Sequence, residues 1–98
     1  MTENAVESPV RDPRTQQVTQ TDDPWQVIVL DDPVNLMEYV TRMLIRIFGF
    51  SREVAEKKMM EVHNQGRSVV WAGGKEKAEM YVQELHRAQL KALIEKSS

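Results

Sequence analysis

The chain contains no cysteine. Disulfides, a thiol nucleophile and thiolate metal sites are therefore excluded. Histidine is scarce too. His63 and His86 are the only two, too few for a multi-histidine metal cage. No cofactor or metal is expected. No apolar run approaches the roughly 20 residues that span a bilayer. The N-terminus lacks a basic segment leading into an apolar one, so a secretory signal is not expected. These absences point to a cytoplasmic protein without membrane contact. A large excess of one charge is also missing, the net charge being −2. Residues 1–24 hold Glu3, Glu7, Asp12, Asp22 and Asp23 against Arg11 and Arg14, a net of −3, whereas residues 25–98 are net +1. Neither part has the concentrated basic face of a nucleic-acid binder.

What is present suits one small domain. With 98 residues, 41% of them hydrophobic, the chain can bury a modest core. Residues 1–24 are polar, carry Pro9, Pro13 and Pro24, and show no sustained period. They are expected to form a disordered N-terminal extension, with residues 25–98 as the folded domain.

Trp25–Leu30 (WQVIVL) is β-branched and nearly all apolar, which predicts a well-buried strand. Asp31-Asp32-Pro33 breaks it, because proline donates no ladder hydrogen bond and aspartates favour turns. Asn35 and Glu38 have capping-box spacing. The following helix carries one stripe from Leu36 and Met37 through Val40, Met43 and Leu44 to Ile47 and Phe48. Gly49 suits its end, with Phe50 as the apolar residue beyond. Ser51 caps a second helix whose inward positions are Val54, Ala55, the Lys58 stem, Met59, Val62 and His63. Gly66 ends it. Arg67–Ala72 predicts a strand, Gly73-Gly74 a turn, and a third helix starts near Lys75 with Ala78, Tyr81, Val82, Leu85 and Ala88 inward. Nothing after Leu85 interrupts that helix, and periodicity alone carries it to about Glu95.

Two motifs are candidates for chemistry. Asp31-Asp32-Pro33-Val34-Asn35 places two carboxylates and an amide between a buried strand and a helix. Loops in such positions often carry function, although Asp and Asn also serve simply as turn and cap residues. Met59-Met60-Glu61-Val62-His63 puts His63 on the helical face of Met59. A histidine near a helix C-terminus is also favourable to the helix dipole. The six methionines are ordinary core residues or adaptable pocket walls. An enzyme built on Asp31 or Asp32 with His63 lacks a nucleophile in a recognisable setting. No nucleophile-elbow or phosphate-loop pattern occurs.

Taken together, WQVIVLDDPVNLMEYV at 25–40, MMEVHNQG at 59–66 and RSVVWAG at 67–73 resemble the ClpS family of N-degron adaptors. The resemblance implies an α+β fold, a three-stranded antiparallel sheet with three helices on one side in the order β-α-α-β-α-β. It also implies a break near Ala88–Gln89 and a last strand over Leu90–Glu95, against the local helical pattern. In function it implies a non-enzymatic adaptor. Such an adaptor binds the free N-terminal Leu, Phe, Tyr or Trp of substrate proteins. It delivers them to the N-domain of a Clp AAA+ unfoldase, of ClpA or ClpC type, for degradation by ClpP.

By the same resemblance, Asp31, Asp32 and His63 grip the α-ammonium and first peptide group. Asn35, Met37, Val40, Met59, Val62 and Leu90 wall the side-chain pocket, with Met37 guarding it against β-branched residues. Glu76 matches an acidic contact to the unfoldase, and the N-terminal extension is what the unfoldase engages. Pro33 replaces a polar residue common in the family, Asn35 a threonine, and Tyr81 a lysine. The physics is consistent with this assignment. Charge-assisted hydrogen bonds contribute roughly 1.5–3 kcal/mol each, and burial of a Leu or Phe side chain about the same. After ordering costs, affinity on the order of micromolar follows. Two other readings stay open at this point, a His63-dependent hydrolase and a protein-interaction domain like that of the ribosomal stalk.

Overall fold

The computed structural model describes residues 24–97. The extension assigned to 1–24 thus lies outside the described residues except for Pro24. The elements are β1 (Trp25–Leu30), α1 (Met37–Phe48), α2 (Arg52–Gln65), β2 (Arg67–Gly73), α3 (Lys75–Arg87) and β3 (Ala92–Lys96). The sheet is antiparallel in the order β2-β1-β3. This is the α+β arrangement expected.

The apolar run of β1 follows from its central place. Val27 and Val29 point to the helices and share a core with Val40 and Leu44 of α1, Ala55, Met59 and Val62 of α2, and Ala78 and Leu85 of α3. Ile28, on the opposite face by alternation, is also fully buried. One irregularity sits in β2. Val27 pairs with Trp71 and Ile28 with Val69, so Val70 is an extra residue. Next to this bulge, Lys58 Nζ donates to Val69 O at 3.0 Å. Lys58 therefore contributes its charged end as well as its stem. Ser68, buried beside it, donates to Glu61 Oε1 at 2.5 Å. Val54 and His63, expected inward on α2, are both exposed.

The helix ends divide into expected and unexpected. Ser51 Oγ accepts from Val54 N at 3.2 Å. Gly66 closes α2 at φ 84°, a backbone conformation that costs glycine little. The capping box at α1 does not form. The cap position is Leu36, with no side-chain bond. Asn35 Nδ2 instead donates to Asp32 Oδ2 and Gln89 O, while Glu38 pairs with Arg42 and Arg52. Both partners of the expected box are taken by other contacts. At the other end of the chain, α3 stops at Arg87, as the resemblance implied and local periodicity did not. β3 begins at Ala92, two residues later than expected, because Leu90 and Lys91 belong to the turn. Among the described residues no helix is long and apolar enough to cross a membrane.

Candidate functional site

The end of β1, the acidic loop, the last turns of α2 and the α3–β3 turn converge at one end of the sheet. Backbone bonds fix their meeting. Asp31 N donates to Gly66 O at 3.0 Å, which seats the acidic loop on the end of α2, three residues past His63. Leu30 N donates to Lys91 O at 2.9 Å, which joins the same strand end to the α3–β3 turn. Two motifs separated by some thirty positions in sequence therefore become neighbours through the carbonyl of the α2 C-cap, Gly66.

Between these pieces lies a cavity of about 250 Å³. Its apolar walls are Val40, Met59, Val62 and Leu90, all buried, with Val29 behind them. Asp31, Asp32, Asn35 and His63 supply the polar lining, and Met37, 39% exposed, stands at the edge. Every residue expected at the ammonium and side-chain positions thus lines one cavity. Leu30, Pro33 and Lys91 also line it. Nothing in their residue types signals this, since the turn geometry brings them in. Glu76 is elsewhere, exposed in the first turn of α3.

The two aspartates differ. Asp32 Oδ1 accepts from Val34 N at 2.9 Å and its Oδ2 from Asn35 Nδ2 at 3.1 Å, so Asp32 organises its own loop. The Asp31 carboxylate is exposed and accepts no hydrogen bond among the described residues. Chemically the cavity offers carboxylate acceptors and an imidazole at the mouth of an apolar hole. It is smaller than the roughly 300–1,000 Å³ of drug-sized sites and suits a single side chain. Among the described residues no group of three or more His, Asp or Glu side chains is placed to hold a metal ion. A second, wider groove of about 720 Å³ runs between α1 and α3, lined by Tyr39, Met43, Met80, Tyr81 and Ala88 among others.

Sheet, helices and cavity define a small α+β binding domain with an acid-rimmed apolar pocket. Residues 20–93 match the family model of the ATP-dependent Clp protease adaptor protein ClpS. The chain is 41% identical over 95 residues to the ATP-dependent Clp protease adapter protein ClpS of Rhodococcus opacus, covering 93% of this chain and 85% of the relative. It is 51% identical over 75 residues to that of Mycobacterium marinum, covering 76% and 74%. In fold it is similar to Agrobacterium tumefaciens ClpS2 solved bound to L-phenylalaninamide, with a TM-score of 0.73 and 23% identity over 78% of this chain and 99% of that one. The chain belongs to the ClpS family of Clp protease adaptors.

Proposed function

We propose that the pocket captures the free N-terminal residue of substrate proteins, Leu, Phe, Tyr or Trp, for delivery to a Clp unfoldase of ClpA or ClpC type and degradation by ClpP. The observation that carries this is the convergence of Asp31, Asp32 and His63 over the apolar walls of Val40, Met59, Val62 and Leu90 in one cavity. A free N-terminus presents an ammonium beside a side chain, and the cavity matches both. An acetylated or internal residue lacks the charge and leaves desolvated carboxylates unpaired. The ClpS2 ligand, L-phenylalaninamide, has this same chemistry: a free amine, an apolar side chain and an amide in place of the carboxylate.

The lining includes no serine, threonine or tyrosine hydroxyl, which favours binding over a His63-dependent hydrolysis. Met37 at the rim acts as the gate against β-branched first residues. Glu76, exposed on α3 away from the pocket, is available to the unfoldase N-domain while substrate is held. The test is a titration of labelled peptides that differ only in residue one, each free and N-acetylated. Free Leu or Phe peptides should bind at least about tenfold tighter than acetylated ones. Equal binding of the two would overturn the reading.

A further inference from the structure

The turn between α3 and β3 is held from outside at three carbonyls, those of Ala88, Gln89 and Lys91. Tyr39 OH donates to Ala88 O at 2.7 Å, Asn35 Nδ2 to Gln89 O at 2.8 Å, and Leu30 N to Lys91 O at 2.9 Å. Within this stitched segment sits Leu90, 4% exposed, whose side chain walls the pocket. The turn's own hydrogen bonds, Gln89 N to His86 O and Leu90 N to Leu85 O, fix its shape relative to α3. They do not fix its distance from α1, which forms the facing wall through Met37 and Val40. That distance is set by the bonds from Tyr39 in α1 and Asn35 just before it, while the Leu30 bond ties the turn to the end of β1.

Tyr39 differs from the other two, because it lies outside the pocket and lines the neighbouring groove together with Ala88. Resting on the function proposed above, we infer that Tyr39 is a positioning residue for selectivity among first residues. Its hydroxyl holds Ala88, and so Leu90, against the occupant, which favours compact side chains such as Leu over the larger indole of Trp. Loss of the hydroxyl lets the turn move outward. A small occupant then loses contacts with the retreating wall, whereas a large one is relieved of crowding. The freed Ala88 carbonyl borders the groove and takes a water in exchange, so the fold is spared.

The experiment compares the wild-type protein with Tyr39→Phe, titrated with peptides identical except for a first Leu, Phe or Trp, plus the N-acetylated Leu peptide, with thermal unfolding of both proteins alongside. The expected result is a fall of the Leu-to-Trp affinity ratio by about threefold or more, with little change in Tm. Asn35→Ala should shift the ratio the same way, and the double variant should shift it by less than the two shifts combined, since both groups hold one turn. A Tyr39→Phe protein that weakens all three peptides equally, or changes none, overturns the inference. If free and acetylated Leu peptides bind the wild type alike, the pocket's proposed function falls and the inference with it. If acetylation discriminates but the ratio does not move, only the role of Tyr39 falls.

Discussion

Arg67 on β2 and Glu95 on β3 form a 2.8 Å ion pair that passes over the central strand. Arg67 lies opposite Leu30, and Glu95 opposite Gln26. The line between them crosses Ile28, which shares their face. That face carries no helix, yet Ile28 is 0% exposed, with Val69 and Leu93 as its cross-strand neighbours, and the ion pair's long side chains are placed by register to cover it. The ion pair itself is half exposed, 47% at each side chain, and contributes at most about 1 kcal/mol after solvent screening.

Burial therefore outweighs charge at this point, and three variants should rank accordingly. Ile28→Ala should cost about 2–5 kcal/mol, as for other fully buried aliphatic residues. Arg67→Ala should cost less, and Arg67→Met least, because methionine keeps the covering stem and gives up only the charge. Urea unfolding midpoints measured at a constant m-value check the order. Equal losses from Arg67→Met and Arg67→Ala would show that the charge, and not the stem, matters.

The two aspartates of the pocket should separate affinity from stability. Asp31 has a carboxylate without a described partner, so Asp31→Ala should weaken binding of a Leu-starting peptide by about tenfold or more with little change in Tm. Asp32 ties down Val34 N and Asn35 Nδ2, so Asp32→Ala should lower both affinity and Tm. His63→Ala, at an exposed position, should behave like Asp31→Ala. Peptide anisotropy and thermal melts on the same samples give both readouts. A Tm loss at Asp31 equal to that at Asp32 would contradict the division of roles.

Much of this was legible in the sequence, and what was not has a common cause. The strand Trp25–Leu30, the Ser51 cap and the glycine ends of α1 and α2 are local signals, and local bonds satisfy them. The pocket residues were legible only through the family pattern, because no period joins Asp32 to His63. The misread positions are those where a distant partner decides. Asn35 has a cap residue's identity but bonds Gln89 across the fold, and the helix pattern through Ala88 is overruled by a turn held by Tyr39 and Asn35. The bulge at Val70 and the Lys58 bond beside it likewise have no local sequence signature.

Glu38 links the starts of α1 and α2. Its carboxylate pairs with Arg52 at 2.6 Å and Arg42 at 3.3 Å, and Arg52 also reaches Glu56. The hydrogen bond from Arg52 is the main cause holding the Glu38 carboxyl below its ordinary value of 4.5. A carboxylate with a depressed folded pKa stabilises the fold above its unfolded pKa and loses that contribution as pH falls through the folded value. Stability should accordingly decline below pH 4.5, and Glu38→Gln should decline less steeply there while being slightly less stable at neutral pH. The group is fully exposed, so the effect is small and should shrink further in high salt. Parallel pH–stability curves for the two proteins would remove Glu38 from the account.

Gln89 ends α3 in a left-handed conformation, φ 70°, which is uncommon for a residue with a side chain. The geometry is a Schellman motif. Gln89 N bonds His86 O at 2.9 Å and Leu90 N bonds Leu85 O at 3.0 Å, with Leu90 and Leu85 both buried in the core. Glycine is usual in this place, and here glutamine takes it. The left-handed backbone costs an L-residue roughly 1–2 kcal/mol. Gln89→Gly removes that strain but adds about 0.5–1 kcal/mol of unfolded-state entropy, so the net gain should be small and positive. It leaves the carbonyl that Asn35 binds, so peptide affinity should hold. Gln89→Val is the opposite case, since a β-branched residue is a genuine outlier at positive φ. The turn must then rearrange, Leu90 leaves its place in the pocket wall, and both Tm and affinity for a Leu-starting peptide should fall. Denaturation and peptide titration of the two variants side by side decide the matter. A valine variant as stable and as tight-binding as the glycine variant would show that the turn is free to adopt another shape without cost to the pocket.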